Sequence, residues 1–484
     1  MQNITTDNLL GSNTMEDEGH YYWRKNCPYL YDMMLSYTLE WPTLTLDWLP
    51  NSYKSPDGSY SVHKIVYGTH TSGQEPNYLV IAEVHLCDLE SNNDLMNNES
   101  FAEYSYNPDN SNNSCVQFEI KAKLNHPGEV NKAIHMPAHP FIITTRTING
   151  DILIFDYSKH ESFPTDEFCH PQLLLRGHKS EGYAMDWECG KCNSESDKSD
   201  VSRLVSGGSD KTIYLWDLNG KTDSVLNSNI RNSFVYSPKN ILEKNDVNDD
   251  HECSIPELFP PVLEPVYTYN WHKSDVNDLK WHPSCRFLFS SVSDDNCLAF
   301  WDTRSSENSS FNTKPVLFKE TNSKINCISF NEFLPTVFAT GDVEGIVNIW
   351  DSRNLSKSIF ELEFHSQKPI VSLEWSKWTP NILSSGGVDG RVVVWDIFGD
   401  TNNKQVGQNE CDKSKLNAND DSSAESKAIF IHYGHTAPIT GLVWNPNDHG
   451  DSLLMASSSE DNTIQFWQFS DLYLKGLSDK ENTL

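Results

Sequence analysis

A histidine, a serine and an aspartate stand in the same order in several parts of this sequence, and these are the residue types of a nucleophilic active site. His178, Ser206 and Asp210 form one such set. In a hydrolase the aspartate orients the imidazole, which takes the proton of the serine hydroxyl. Here the set recurs in several units, and no Gly-x-Ser-x-Gly turn carries the serine. The recurrence favours a structural role, so we predict that the protein is not an enzyme.

Cys189 and Cys192 form a Cys-x-x-Cys pair, the spacing of many zinc ligands. A structural zinc ion needs about four ligands, and no second pair lies nearby. The eleven cysteines are odd in number and scattered along the chain, which indicates reduced cysteine and not a disulfide framework. We therefore predict an ordinary loop at this pair, with no metal site and no cofactor.

The elements that position the recurring histidine, serine and aspartate are internal repeats. Six segments end in an apolar run, an aromatic residue and an acid or amide, and the aromatic residues are Phe155, Trp216, Trp301, Trp350, Trp395 and Trp467. Their spacings are 61, 85, 49, 45 and 72 residues. The shorter values fit a propeller blade of about 40–45 residues with a short loop, and the longer ones contain insertions.

Each unit contains alternating strands separated by turns rich in Gly, Asp and Asn. A weaker first unit lies within residues 63–86, with strands at 64–68 and 78–84, which gives seven blades in all. Residues 43–49 also alternate, and we expect them to add an outer strand to the last blade and close the ring.

This organisation resembles WD40 repeats, an all-β fold in which a buried His, Asp, Ser or Thr, and Trp network staples each blade. The resemblance assigns His178, Asp210, Ser206 and Trp216 to one staple, and it assigns three further sets in the same order of residue types. These are His272, Asp295, Ser291 and Trp301; His365, Asp389, Ser385 and Trp395; and His435, Asp461, Ser457 and Trp467. Such a network is favourable only when every member is satisfied.

Outside the repeats, apolar residues at helical spacing predict an α-helix over residues 16–40 on the flank of the propeller, restarted at Pro28. The propeller itself is expected over residues 41–470. Residues 1–15 are expected to be a disordered tail and 471–484 a C-terminal tail. Insertions at about 88–113, 219–264 and 399–427 are rich in Asn, Ser and acids, so we expect exposed, largely disordered loops.

The charge balance narrows the class of partner. The chain has 68 acidic and 37 basic residues, a net charge of −31. Such a field repels phosphates and attracts basic proteins, so direct nucleic-acid binding is not expected. The sequence contains no run of eighteen apolar residues and its N-terminus is polar, which predicts a soluble intracellular protein with no membrane contact.

Motifs that a blade does not require resemble the retinoblastoma-binding, MSI-type family of histone-binding WD40 proteins. They include Trp-Arg-Lys-Asn-Cys-Pro-Tyr-Leu-Tyr-Asp at residues 23–32 and Leu-Glu-Trp-Pro-Thr-Leu at 39–44. Further matches are residues 48–50, 67–72, 125–133, 155–160 and 176–183. The resemblance spans nearly the whole chain, from about residue 21 to 469, and leaves out only the insertions and the termini.

The resemblance implies two binding surfaces. The first is a flank groove for a helix of histone H4, formed between the N-terminal helix and the insertion after the sixth blade. Its matching positions are Tyr29, Leu30, Phe430 and Ile431, with Asp420, Asp421 and Glu425 as acids for basic histone residues. An apolar floor with an acidic lip suits an amphipathic basic helix. The Pro-Pro element usual in that loop is absent here, which leaves open which acids engage.

The second implied surface is the acidic face around the central channel, which in the family accepts an extended basic tail such as that of histone H3. The matching positions are Glu40, Trp41, His70, Glu129, Asn131, Glu181, Tyr183, Asn326 and Glu460. Carboxylates suit Arg and Lys side chains. Asn277 and Pro369 stand where the family usually has acids, so we expect a less acidic face on that side.

The resemblance implies a nuclear scaffold shared among chromatin complexes. Its expected partners are histones H4 and H3 and the larger subunits of chromatin assembly factor 1, deacetylase, acetyltransferase, Polycomb-type and remodelling complexes. An alternative is a substrate receptor that binds a cullin ligase adaptor, because residues 301–304 and 350–353 follow a Trp-Asp-x-Arg pattern. A further alternative is a ribosome-assembly chaperone, since such propellers also carry acidic tracts and bind basic clients.

Overall fold

A computed structural model describes residues 14–56, 60–87, 117–188, 202–219, 235–236, 260–304, 314–399, 427–447 and 453–470, with side chains of the first helix from residue 19 onward. Both predicted tails lie almost wholly outside these ranges. So do the insertion at 88–113, most of the other two insertions, and Cys189 and Cys192.

The described chain forms seven antiparallel sheets, the blades of a β-propeller, preceded by one helix. The helix α1 (Thr14–Leu30) leads into strand β1 (Tyr31–Thr38). Blade 1 contains β2 (Leu46–Lys54), β3 (Tyr60–Gly68), β4 (Asn77–Cys87) and β5 (Phe118–His126). Blade 2 contains β6 (Val130–Met136), β7 (His139–Thr147), β8 (Ile152–Asp156) and β9 (Leu173–Leu175). Blade 3 contains β10 (Met185–Trp187), β11 (Arg203–Gly207), β12 (Ile213–Asp217) and β14 (Tyr267–Tyr269), while β13 (Val262–Leu263) joins blade 2.

The later blades follow the chain more regularly. Blade 4 contains β15 (Val276–Trp281), β16 (Leu288–Ser293), β17 (Cys297–Asp302) and β18 (Leu317–Glu320). Blade 5 contains β19 (Ile325–Phe330), β20 (Val337–Asp342), β21 (Ile346–Asp351) and β22 (Phe360–Glu363). Blade 6 contains β23 (Ile370–Trp375), β24 (Ile382–Gly387), β25 (Val392–Asp396) and β26 (Ala428–His432). Blade 7 contains β27 (Ile439–Trp444), β28 (Leu454–Ser459) and β29 (Thr463–Phe469), and β1 completes it. The seven-bladed fold predicted from the repeats is confirmed.

The core lies between neighbouring blades and is built from the second and third strands of each. In β16 and β24 every residue after the first is buried, because both faces of a blade pack on adjacent blades. The largest fully buried side chains include Trp48, Trp216 and Trp301. The repeat therefore encodes a ring in which each apolar unit buries its faces against its neighbours.

The ring is closed by a different segment from the one that we predicted. β1 pairs antiparallel with β29, from Tyr31 opposite Phe469 to Thr38 opposite Thr463. The prediction that residues 43–49 supply this outer strand is wrong, because Leu46 and Leu49 lie in β2, the inner strand of blade 1. Both segments alternate in hydrophobicity, and the exposed edge of β29 takes the strand that reaches it.

The predicted helix over residues 16–40 is correct only in its first part. α1 ends at Leu30, two residues after Pro28, and the chain then extends as β1. Tyr31 and Leu35 are four residues apart and both buried, which is compatible with a helix and with every second position of a strand. The hydrogen bonds to β29 decide between the two readings.

The insertion at 219–264 is not simply an exposed loop. Tyr236 is buried, forms a bridge with Cys169 and donates a hydrogen bond of 2.8 Å from its hydroxyl to Asp151. Strand β13 pairs in parallel with β9, so Val262 lies opposite Leu174. Two parts of this insertion therefore pack on the outer edge of blade 2, where they cover unpaired backbone groups.

Two searches of the described residues were negative. No helix there is long and apolar enough to cross a membrane. Within the same ranges, no three His, Cys, Asp or Glu side chains are grouped so that they could hold a metal ion.

Candidate binding surfaces

The four predicted staples form as hydrogen-bonded networks inside blades 3, 4, 6 and 7. In blade 3 the indole N–H of Trp216 donates to Ser206 Oγ at 2.9 Å, and that oxygen lies 2.8 Å from His178 Nε2. The other imidazole nitrogen lies 3.1 Å from both carboxylate oxygens of Asp210. The other three blades repeat this arrangement, with His–Ser distances of 2.7, 2.8 and 2.8 Å.

Burial fixes the charge state of the blade 3 staple. It lowers the pKa of His178 to about 4, so the imidazole is neutral at pH 7. Hydrogen bonds from His178 and Thr212, opposing burial, hold the pKa of Asp210 well below its usual range. The serine hydroxyl and the imidazole have no exposed surface, since Ser206 is 0% accessible and the His178 side chain likewise. A substrate therefore cannot reach this set, which supports a structural role.

Two other blades carry incomplete versions of the staple. In blade 5 Trp350 donates to Thr340 at 2.9 Å, without a histidine in the network. In blade 2 His126 lies 3.0 Å from Thr145, and Phe155 occupies the place of the tryptophan.

The flank of the propeller is organised by α1, whose buried stripe consists of Trp23, Cys27 and Leu30. The indole of Trp23 donates to the Tyr31 hydroxyl at 2.8 Å, and this hydroxyl lies 2.7 Å from His432 Nδ1. Burial lowers the pKa of His432 far below its ordinary value, so the neutral ring accepts from Tyr31. The other ring nitrogen donates to Gln465 at 2.9 Å. This chain of bonds ties α1 to blades 6 and 7.

The predicted groove residues do not all lie on one surface. Tyr29 is 79% exposed and Leu30 is half-buried, as expected for residues that could meet a partner. Phe430 is only 5% exposed and packs on Tyr31 and Phe469, so it is a core residue beneath the flank. Ile431 packs instead on the cluster between blades 5 and 6. Successive strand residues point to opposite faces, which separates these two neighbours.

Ile429 joins the flank surface and escaped the sequence prediction. The register of β26 shifts between Phe430, opposite Val394, and Ala428, opposite Trp395, which leaves Ile429 as a bulge. A bulge re-aims a side chain. Ile429 packs half-buried on the same cluster as Trp23, Leu30 and Met34, and no local pattern announces this. Asp420, Asp421 and Glu425, the predicted acidic lip, lie outside the described residues.

The central channel is a cavity of about 720 Å³. Four of the predicted channel-face residues line it, namely Asn131, Glu181, Tyr183 and Asn326. Asn326 donates its amide to the carbonyl of Ile370 at 2.9 Å and so helps to join blades 5 and 6. Asp275, which the prediction did not include, also lines the cavity.

The remaining predicted residues surround the same mouth. His70 Nε2 lies 3.0 Å from Glu129, and the indole of Trp41 donates to Glu75 at 2.8 Å. Burial raises the pKa of Tyr183, helped by Glu181 and Glu129, so the two carboxylates act on one phenol. Glu40 and Glu460 are exposed.

Asn277, where the resemblance leads one to expect an acid, is engaged within the protein. Its amide donates to Asp294 at 2.7 Å and to the carbonyl of Ile325 at 2.9 Å. Asp294 is further paired with Lys324 at 2.7 Å. This side of the mouth therefore presents a neutralised carboxylate.

Comparison with known families gives two matches. The family model for the histone-binding protein RBBP4, or the corresponding member of the CAF1 complex, matches residues 7–88, which include β1, β2, β3 and the described part of α1. The model of the WD domain, G-beta repeat, matches residues 172–217, 263–302, 356–396 and 426–468. These four segments contain the four complete staples, whereas the incomplete staples of blades 2 and 5 lie outside them.

Proposed function

Because the chain belongs to the retinoblastoma-binding, MSI-type family of WD40 histone-binding proteins, we propose that it is a non-catalytic histone-binding scaffold of nuclear chromatin complexes. The observation that carries the proposal is the flank of the propeller, where the histone-binding family model coincides with α1 and its anchor in blades 6 and 7. The complexes that it would join are those of chromatin assembly, histone modification and remodelling.

The flank is suited to an amphipathic helix such as the first helix of histone H4. Trp23, Leu30 and Ile429 are half-buried on one apolar cluster, and Tyr29 stands exposed beside them. An apolar groove with one exposed aromatic residue is a common binding site for an amphipathic helix. The net charge of −31 favours a basic partner, and the acids at residues 420, 421 and 425 remain the predicted lip.

The channel mouth is the proposed second surface, for an extended basic tail such as that of histone H3. Glu181 and Glu129 both act on Tyr183, which places two carboxylates beside one aromatic ring. Carboxylates bind guanidinium and ammonium groups through charge-assisted hydrogen bonds, and aromatic rings attract the same cations.

Calorimetry with a histone H4 first-helix peptide tests the groove. Wild type should bind, and a Tyr29→Ala, Leu30→Ala double variant should lose roughly tenfold or more in affinity, since truncation of a central anchor costs about 2 kcal/mol. Tyr53→Ala is the matched control, because Tyr53 is also exposed but lies in blade 1. Phe430→Ala is unsuitable because it would open a cavity in the core. No binding by wild type would refute the groove.

The cullin-adaptor alternative rests on the two Trp-Asp-x-Arg segments. Arg304 and Arg353 have side chains 61% and 73% exposed, and each is paired with the aspartate two residues before it. The ribosome-assembly alternative rests on acidity alone. A pull-down that recovers histones, and neither a cullin adaptor nor ribosomal proteins, would favour the chromatin role.

A further inference from the structure

Three arginines surround one phenylalanine at the junction of blades 3 and 4. The guanidinium carbons of Arg203, Arg286 and Arg304 lie 5.6, 5.6 and 4.8 Å from the ring centre of Phe287. Arg203 begins β11, Arg286 and Phe287 lie between β15 and β16, and Arg304 follows β17. The chain has only 37 basic residues against 68 acidic ones, so this concentration of positive charge stands out.

This arginine cluster lies on the face of the propeller opposite the channel mouth. The inner strand β15 starts at Val276, next to the mouth residue Asp275, and ends at Trp281. Arg286 follows in the connection to β16, at the far end of the blade. A ligand here would therefore leave both proposed histone surfaces free.

The acids of the cluster do not occupy all of its hydrogen-bond donors. Buried Glu188 accepts from Arg203 at 2.7 and 2.9 Å and also lies 3.2 Å from Arg286 Nε. Asp302 takes two nitrogens of Arg304, at 3.0 and 2.7 Å. Asp217 also acts on Arg203, and one of its oxygens accepts from the Asn219 backbone.

The donors left over belong to Arg286 and Arg304. No described residue accepts a hydrogen bond from the two terminal nitrogens of Arg286 or from Nη1 of Arg304. Arg286 also shares its only close carboxylate with Arg203. Its side chain is 32% exposed and that of Arg304 is 61% exposed, so both guanidinium groups are accessible from solvent.

We propose that the arginine cluster is a docking site for an acidic peptide segment of a protein partner, bound through Glu or Asp side chains. Guanidinium groups bind carboxylates in a planar, two-point geometry, and the Arg203–Glu188 and Arg304–Asp302 pairs already show it here. One incompletely neutralised guanidinium suits a single negative charge better than a phosphate, which carries nearly two. The strongly acidic chain would repel an extended polyanion such as nucleic acid, which favours a short peptide.

The test uses fluorescence anisotropy on the full chain with three labelled ten-residue peptides: a glutamate-rich peptide, its glutamine counterpart and a phosphoserine counterpart. The test variant is Arg286→Gln, Arg304→Gln. The matched control is Arg353→Gln, because Arg353 makes the same two-point pair with its own aspartate but has no aromatic ring beneath it among the described residues. Histone H4 peptide binding and the midpoint of thermal unfolding check that each variant is folded.

The proposal expects the glutamate-rich peptide to bind wild type and the Arg353→Gln variant equally, and the double variant about tenfold or more weakly. The glutamine peptide should not bind. Equal losses in the double variant and in Arg353→Gln would overturn the proposal, because they would show attraction to any surface arginine. Binding of the phosphoserine peptide alone would overturn the carboxylate assignment, and absence of binding by all three peptides would overturn the site.

Discussion

The guanidinium of Arg146 ends directly beneath Gly182, where Nη2 lies 2.7 Å from the place that a Cβ on residue 182 would occupy. At other blade junctions the sizes are reversed: Gly68 faces Val130, Gly207 faces Val276, and Gly341 faces Ile370. The junction of blades 2 and 3 thus inverts a small–large pair by placing an arginine where the other blades have glycine. Arg146 is fully buried, and none of its three nitrogens has a hydrogen-bond partner among the described residues.

Replacing Arg146 by methionine should not destabilise the protein. Asp210 and Asp151 act on the guanidinium only through space, so the buried charge is poorly compensated. Exchanging such a charge for an apolar side chain of similar volume is often neutral or stabilising by about 1–4 kcal/mol. We expect the free energy of unfolding, measured by urea denaturation of Arg146→Met, to stay constant or rise.

Arg203→Met is the matched control for Arg146→Met. It removes a paired arginine and leaves Glu188, which is 1% exposed, with only the weaker contact to Arg286. The expected loss is about 3–5 kcal/mol, as for other broken buried pairs. A comparable loss in both variants would show that Arg146 is well compensated after all.

The Tyr31 hydroxyl should hold α1 in position for a partner. Tyr31→Phe deprives Trp23 of its acceptor and His432 of its donor, and each buried polar group left unpaired costs about 1–3 kcal/mol. We expect faster amide hydrogen exchange in α1 and weaker binding of the histone H4 peptide.

Tyr60→Phe serves as the comparison for Tyr31→Phe, since its hydroxyl makes no hydrogen bond with a described residue and its ring stacks on His85. It should leave both exchange and binding unchanged. Unchanged exchange in Tyr31→Phe as well would mean that packing of Cys27 and Leu30 alone fixes the helix.

Stability should fall as the pH is lowered from about 6.5 towards 4. Burial lowers the pKa of His63, His126 and His178 to about 4 each, whereas the unfolded chain takes up these protons near pH 6.5. Between these values only the unfolded state gains protons, which costs the folded state about 1.4 kcal/mol per pH unit and histidine. His135, whose pKa rises beside Asp47, works in the opposite direction and offsets part of the loss.

Urea midpoints at pH 7, 6 and 5 measure this dependence on pH. A His126→Gln variant should show a shallower decline, because one of the buried histidines is then absent. Midpoints that stay constant down to pH 5 would contradict the neutral state of the buried imidazoles.

Glu181→Gln should weaken binding of a basic tail peptide at the channel mouth by about two- to fivefold, because Glu181 is exposed and exposed charge pairs contribute roughly 0.2–1 kcal/mol. The effect should shrink at high salt. Glu363→Gln, an equally exposed acid on the outer strand of blade 5, should change nothing. Calorimetry at two salt concentrations separates these outcomes, and equal weakening by both variants would show only a general effect of net charge.

The sequence by itself determined the repeat, and through it the fold and the staples. Period-two alternation and turn residues act over a few positions, so strands such as β12 and β17 could be recognised locally. Each staple spans fewer than forty residues, as from His178 to Trp216, and lies within one blade. Its members could therefore be matched without knowledge of the neighbouring blades.

Only the tertiary structure decided which segments meet across the ring. β1 pairs with β29 over more than 430 residues, and its sequence alternates no better than that of residues 43–49. Phe430 and Ile431 are both apolar neighbours, yet the pleat and the bulge at Ile429 send them to different clusters. Arg146 and Gly182 are unremarkable residues until blades 2 and 3 are packed together. The physical reason is the same in each case: an unpaired strand edge or an interface of fixed volume selects its partner by position in space, which local patterns do not encode.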